Sequence, residues 1–205
     1  MKQIKFKGVV ITTRKTVNNI LRVFDQCNDE DKKEWYQEAH EYANSLSCIS
    51  ESSKYKVSLV QACGIIAALS PLKSWDENKV ISRSFIMEGI GKHTQVMTNK
   101  AKAIVNLDQN DPEIEERIVE ILNGNKISAF FLNILKPTQS NVLTIDRHAI
   151  CIALGRIASE NEMHLTTNQY RFFEMCFTIA GVKRDVPPIL MQSATWCAWR
   201  RIKNR

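Results

Sequence analysis

The sequence predicts an all-α protein of two lobes. Only seven of the 205 residues are glycine and five are proline, and these are the residue types that interrupt helices. Apolar residues recur mostly at the three- and four-residue spacing of helices, in segments spread along the chain. A chain of this length forms one large domain or two small lobes that share a core. We expect a single two-lobed domain over residues 1–205.

Most helices are predicted by an apolar stripe and by a residue that ends the stripe. Residues 1–12 alternate weakly, which indicates a short strand, and helical spacing follows over 17–24 and 31–47. Residues 56–69 are apolar nearly all round, which predicts a helix buried in the middle of the molecule, and Pro71 ends it. Further helices are predicted over 75–87, 100–105, 146–154, 168–182 and 187–202.

Residues 113–135 predict a helix, a tight turn and a second helix. Asp111 and Pro112 fit an N-cap followed by proline at the first helical position. Gly124 is expected to end the first helix. Apolar residues then repeat at helical spacing over 127–135, and Pro137 closes the second helix.

Charge is unevenly distributed along the chain. The net charge of +6 permits a nucleic-acid partner without demanding one. Residues 25–41 carry seven acidic side chains against two lysines, and a solvated face is the simplest interpretation. The last 23 residues carry six basic side chains against Asp185, which fits a solvated face and a contact with a polyanion equally well.

The six cysteines indicate a reducing compartment. They form no CxxC pair, most have apolar neighbours, and their spacing suits neither zinc nor an iron–sulfur cluster. We therefore expect core cysteines, no metal and no cofactor. No apolar run approaches the about 18 residues of a membrane span, and the N-terminus lacks a signal-peptide pattern. We expect an intracellular monomer without membrane contact.

Two segments, "GNKISAFFLNIL" and "NVLTIDRHAICIALG", resemble the helix-hairpin-helix DNA glycosylase superfamily. Gly124-Asn125-Lys126 matches the Gly-x-Lys of those members that also cleave the strand. Ile145-Asp146-Arg147-His148 matches the family's aspartate segment, which opens the next helix. Upstream, "IIAALSPLKSWDENK" is similar to the family's buried helix and the turn that follows it, so the resemblance covers about residues 57–155.

The resemblance implies a two-lobed helical enzyme that acts on a modified or damaged base flipped out of DNA. Asp146 would stabilise the oxocarbenium-like sugar and handle a proton. Lys126 would be the nucleophile of an associated lyase activity, for which partial burial is needed, or would contact a phosphate instead. On sequence alone, Asp146 is a helix N-cap and Lys126 a surface lysine.

The other candidate residues form two groups, each with a simpler structural interpretation. Residues expected to line the base pocket are Ser70, Trp75, Asn78, His148, His40 and Trp35. Residues expected to contact DNA are Asn123, Gly124, Asn125, Arg147, Arg200 and Arg201. Without a ligand, Trp75 would be a core residue and His40 a structural histidine. The helix with Trp196 and Trp199 is expected to pack on the core, with the two arginines outside.

The chain departs from the family at the hairpin. The usual apolar-Pro-Gly-x-Gly is "ILNGNK" here, which leaves open how tightly the hairpin binds a duplex. The cysteine loop of some family members is also missing from the sequence. The chain also resembles phage-encoded proteins with the pattern "AALSP…W…N…G.K…DRHA…W..WR". Some phage enzymes similar to this fold excise modified bases, and others attach amino acids or polyamines to an activated thymine derivative. A modified-base transferase and a non-catalytic DNA-binding module are therefore the alternatives.

Overall fold

A computed structural model describes residues 2–49 and 52–203, and this part of the chain is predominantly helical, as predicted. It holds a two-stranded hairpin and ten α-helices. The strands are β1 (Gln3–Phe6) and β2 (Val9–Thr12). The helices are α1 (Thr13–Phe24), α2 (Trp35–Ile49), α3 (Leu59–Ala68), α4 (Trp75–Glu88), α5 (Gln95–Val105), α6 (Ile114–Leu122), α7 (Asn125–Leu135), α8 (Arg147–Leu154), α9 (Thr167–Arg184) and α10 (Pro188–Lys203).

The N-terminal hairpin is the departure from an all-α chain. β1 and β2 pair antiparallel around Lys7 and Gly8, whose φ angles of 47° and 89° suit the tight turn that matches strand twist. The buried Phe6 ring meets Phe173 edge-on, with centroids 5.5 Å apart. The weak alternation of residues 1–12 therefore corresponds to two paired strands.

The chain divides into two compact units. Unit 1 contains the residues up to 35 and those from 140 onward, and unit 2 contains residues 36–139. One boundary falls between residues 139 and 140, so the helical hairpin of α6 and α7 and Asp146 belong to different units. Each unit is described by itself below.

Unit 1 is built from helices α1, α8, α9 and α10, which pack on one another. Its core includes the fully buried rings of Phe172, Phe173 and Phe177 from α9. A single 3₁₀ turn, Glu160–Met163, follows α8. The core fixes the position of the N-terminus of α8, where Asp146 lies.

Unit 2 is organised around α3, and the predicted buried helix is confirmed. Every residue from Gln61 to Ala68 is buried. Ser58 and Gln61 form a capping box at its start, so the helix begins at Leu59 and not at residue 56. The Gln61 amide also donates to the carbonyl oxygens of Ile104 and Leu107 at 3.0 and 3.1 Å. These bonds attach α3 to the end of α5.

Several predicted helix starts are wrong by one to five residues. The helices predicted from residues 17 and 100 begin earlier, at Thr13 and Gln95. The helix predicted from residue 31 begins at Trp35, because Asp31 is buried in a turn closed by its bonds with Asn28. The helix predicted from residue 113, with Asp111 as its cap, begins at Ile114 with Glu113 as its N-cap. The Asp111 side chain accepts the Glu113 N–H and belongs to the preceding turn.

The hairpin turn between α6 and α7 also differs from the prediction. Asn123 is the left-handed residue that ends α6, with φ at 45°. Gly124 has φ at 171°, which is extended backbone, and is the N-cap of α7. An asparagine tolerates the left-handed region better than most side chains do. Asn123 therefore supplies the conformation that we expected from Gly124.

The cysteines are free thiols in the part of the chain that the structure describes. Cys63, Cys151 and Cys176 are buried, as predicted for core residues, whereas Cys48 is exposed. Burial raises the pKa of both Cys63 and Cys176 to about 12. Across the described residues, no helix combines the length and the apolar character that a membrane span requires.

Candidate functional site

Asp146 caps helix α8, as the sequence indicates. Its Oδ1 accepts the Ala149 N–H at 2.8 Å, and its extended backbone is typical of an N-cap. Its Oδ2 accepts the indole N–H of Trp196 at 3.0 Å. The residue is half-buried. The start of a helix favours an anion, so the carboxylate lies where negative charge is stabilised.

The segment that leads to Asp146 is held by helix α9. The Tyr170 hydroxyl accepts the Ile145 N–H at 3.0 Å and donates to the Leu143 carbonyl at 2.7 Å. Glu174 accepts the Leu143 N–H at 3.2 Å, and burial raises the pKa of its carboxyl group. These bonds satisfy buried backbone groups next to Asp146 and fix the path of the chain there.

Three of the predicted site residues converge on Trp196. The Arg200 guanidinium lies over the Trp196 ring, 4.6 Å from the centroid. The Trp35 ring lies 5.7 Å from Trp196, and the His148 ring meets it edge-on at 6.0 Å. All four side chains belong to half-buried residues. Together with Asp146 they form what we call the Trp196 cluster: Trp35, Asp146, His148, Trp196 and Arg200.

Trp196 is the functional candidate that sequence reasoning missed, because it was assigned to packing. Its bond to Asp146 joins residues 50 positions apart, and no local pattern reports such a contact. One signal was available, since Trp196 and Arg200 are four residues apart and therefore adjacent on a helix.

Two predicted DNA contacts in unit 1 have different surroundings. Arg147 is the exposed first residue of α8. Arg201 pairs with the buried carboxylate of Asp31, with its Nη2 2.5 Å from Oδ2. It also donates to the Gln26 carbonyl at 2.8 Å. This ion pair accounts for Arg201 without a nucleic acid, and its contact with DNA stays a prediction.

In unit 2, three predicted pocket residues lie in the turn between α3 and α4 or in the first turns of α4. Ser70 donates to the Ala67 carbonyl at 2.9 Å. Trp75 opens α4, half-buried, with the Tyr42 ring 5.8 Å away. Asn78 is only 2% exposed, and its amide donates to the Ile66 carbonyl at 3.1 Å. Its Oδ1 has no hydrogen-bond partner among the described residues. Asn78 therefore links two helices from a buried position.

The same turn contains an unpredicted feature at Leu72. This side chain is 82% exposed, and its φ of 62° lies in the left-handed region. A leucine in that region costs about 1–3 kcal/mol and persists only where the surrounding fold holds it. No pattern in the sequence marks it, since "SPLKS" is an ordinary turn composition.

His40 has a structural partner. Its Nδ1 lies 2.9 Å from the carbonyl oxygen of Ile134, near the end of α7. The contact connects α2 to α7 inside unit 2 and supports the simpler interpretation of this histidine.

The hairpin residues Asn123, Gly124, Asn125 and Lys126 are all exposed. The N-terminus of α7 has no side-chain cap among the described residues, which leaves its first N–H groups available to an anion. Lys126 lacks the partial burial that a nucleophilic lysine needs. Its surroundings suit a phosphate contact better than nucleophilic attack.

The Trp196 cluster supports charge stabilisation. An ionised carboxylate has about four lone-pair directions, and the two bonds to Asp146 use two of them. The remaining directions can face an electron-poor atom. Within the described part of the chain, no three histidine, cysteine, aspartate or glutamate side chains are grouped as metal ligands.

The chain belongs to a protein family described as "Family of unknown function (DUF7178)", whose model matches residues 2–203. The match therefore includes both units and the Trp196 cluster. No curated protein and no solved structure matches the chain.

Proposed function

We propose that this member of the DUF7178 family is a DNA glycosylase-like enzyme that releases a modified or damaged base, with Asp146 as its catalytic carboxylate. The observation that carries the proposal is the placement of Asp146. It lies at a helix N-terminus, half-buried, with two donors fixing its oxygens and a cationic and aromatic cluster beside it.

Base release gives a chemical reason for these groups. As the N-glycosidic bond breaks, positive charge develops on the sugar, and a fixed carboxylate stabilises that charge. Asp146 lies at the N-terminus of α8, where the helix dipole favours negative charge. Arg147 and His148 follow Asp146 directly, and we assign them to contacts with the base or a phosphate.

Lys126 has a supporting role in this proposal. It is exposed in the first turn of α7, beside N–H groups that lack a side-chain cap in the described structure. A positive charge and a helix N-terminus together favour a phosphate. We therefore assign Lys126 to backbone binding and describe the reaction as base release without strand cleavage.

Leu72 supports the same function from unit 2. Proteins that open or bend DNA insert apolar side chains between base steps. An exposed leucine in a turn is suited to that role, because its apolar side chain is accessible to a base step.

The reaction is tested with the wild-type protein and oligonucleotides that carry modified or damaged bases, both single-stranded and duplex. Mass spectrometry of the supernatant measures free base. Release of one base class supports the proposal. Nucleosides that gain an amine when the DNA carries an activated pyrimidine would show a transferase instead. Unchanged DNA in every reaction would contradict both.

A DNA-binding module is the second candidate, and one observation favours it. Both Asp146 oxygens accept hydrogen bonds from the protein, which is what a purely structural cap would show. Tight binding of DNA without any chemical change in the bases would support this candidate.

A further inference from the structure

We propose that Trp196 is a positioning residue for Asp146, and that Arg200 strengthens the hydrogen bond through which it acts. This inference rests on the proposed function of Asp146. It assigns to helix α10 a role in the reaction that the resemblance to glycosylases does not imply.

The first step concerns the orientation of the carboxylate. The bond from Ala149 N–H fixes Oδ1 alone, and the plane of the carboxylate can still rotate about that contact. The indole N–H of Trp196 reaches Oδ2 at 3.0 Å, and two donors on two oxygens define the plane. The lone pairs that remain then point in fixed directions, as electrostatic stabilisation of a transition state requires.

The second step concerns the indole itself. The Arg200 guanidinium lies 4.6 Å from the centre of the Trp196 ring, within the range of a cation–π contact. A cation on the ring face draws electron density away from the ring nitrogen, so the N–H becomes a stronger donor. Hydrogen bonds to ionised groups are about twice as strong as neutral ones, so this polarisation acts on a strong bond.

The third step concerns the position of the ring. Trp35 lies 5.7 Å away at 55° to it, and the His148 ring meets it edge-on. Aromatic contacts of these kinds restrain an indole in one orientation. The N–H of Trp196 is therefore held towards Asp146 by neighbours on several sides.

Removing only the N–H gives the sharpest test of the role in catalysis. We would replace Trp196 with the isostere β-(3-benzothienyl)alanine, in which sulfur stands for the N–H group. The rate constant for base release is expected to fall about 10- to 100-fold with an unchanged KM, because a misplaced catalytic group slows the chemical step. The same replacement at Trp199, a buried tryptophan of α10 with Lys203 over its ring, is the matched control.

Variants at Arg200 separate its contribution. Arg200→Gln should lower the release rate less than the change at Trp196, and Arg200→Lys should recover part of the loss because it restores a cation. Full activity in the Trp196 isostere, or an equal loss at Trp199, would overturn the positioning role.

The indole N–H signals give a readout that needs no activity. The chain has four tryptophans, and their signals in a ¹H–¹⁵N spectrum are assigned with single Trp→Phe variants. The Trp196 signal is expected to move in Asp146→Asn, with the other three nearly unchanged. A Trp196 signal that ignores Asp146 would overturn the inference even if the protein releases bases. If the Trp196 signal responds to Asp146→Asn but the protein releases no base, the proposed function is overturned and the contact between the two residues stands.

Discussion

Arg201 and Asp31 form an ion pair between the end of α10 and the turn before α2 in unit 1. The Arg201 Nη2 lies 2.5 Å from Oδ2 of Asp31, a residue only 5% exposed. Arg184 and Asp25 form a second pair, with 2.7 Å between Nη2 and Oδ2. Both pairs join the acidic segment 25–41 to the basic last 23 residues. The acidic segment and the basic tail therefore neutralise each other in part, and neither is simply a solvated face.

Replacing Arg201 with methionine should destabilise the protein. The change leaves the Asp31 carboxylate buried without its cation, and hydrogen bonds to charged groups contribute about 2 kcal/mol. Urea unfolding of Arg201→Met should show that loss. Lys183→Met, a change at an exposed lysine of α9, is the control and should leave the midpoint unchanged. Equal midpoints for Arg201→Met and the wild type would contradict the importance of the pair.

The pH dependence of stability should report Glu162. Hydrogen bonds from Arg156 lower the pKa of Glu162 to about 2, from a usual value of 4.5. A lowered pKa in the folded state stabilises the protein above the usual value, and the contribution is lost as the pH falls towards 2. Glu162→Gln should thus be less stable than the wild type at pH 7, by up to about 3 kcal/mol.

This difference in stability should shrink as the pH falls from 4.5 to 2. Unfolding measured across that range checks the prediction. Glu160→Gln, an exposed change in the same turn, should follow the wild type throughout. A Glu162→Gln variant whose deficit stays constant down to pH 2 would refute the assignment.

Local patterns were enough to predict most helices but not the contacts that connect them. The buried helix α3 and the stop at Gly155 follow from apolar spacing and from a left-handed glycine. Asp31 lies in the turn before α2, where it bonds locally with Asn28 and also pairs with Arg201, 170 residues away. Such long-range pairs leave no signal in a window of neighbouring residues.

In the candidate site, too, local patterns predicted some residues, and long-range contacts left others unpredicted. Asp146 could be found because a cap and a family pattern coincide at one position. Trp196 could not be found in this way, because its role depends on a hydrogen bond to a residue 50 positions away. Leu72 could not be found either, because what distinguishes it is a backbone angle. A nucleophilic Lys126 would be partly buried, but in the structure its side chain is exposed.

A change at Leu72 should separate stability from function. Leu72→Gly relieves a left-handed backbone and should stabilise the protein by about 1 kcal/mol, because glycine adopts this region freely. The same variant should release bases from duplex DNA more slowly, since the apolar side chain is gone. Leu72→Ala keeps the strained backbone and should lose activity equally.

Thermal unfolding and base release from duplex and single-stranded DNA provide both readouts for Leu72. If the glycine variant is more stable and fully active on duplex DNA, Leu72 has no part in opening the strand.

Lys126 should contribute to DNA affinity and not to the chemical step. The logarithm of the DNA-binding constant falls linearly with the logarithm of the salt concentration. Lys126→Ala is expected to reduce the steepness of that slope by about 0.9, the value for one phosphate contact. Its rate of base release at saturating DNA should equal that of the wild type. Lys102→Ala removes another exposed lysine of unit 2 and is the control. A borohydride-trapped adduct that disappears only in Lys126→Ala would show that Lys126 is a nucleophile.

The most direct test of the account is single-turnover base release by Asp146→Asn. Asparagine keeps the cap on α8 but removes the negative charge, so folding should be preserved. We predict a rate about 100- to 1000-fold below the wild type, the usual cost of removing one electrostatic group from a transition state. Asp185→Asn, at the left-handed end of α9, is the matched control and should retain full activity. Base release by Asp146→Asn at the wild-type rate would contradict the central claim.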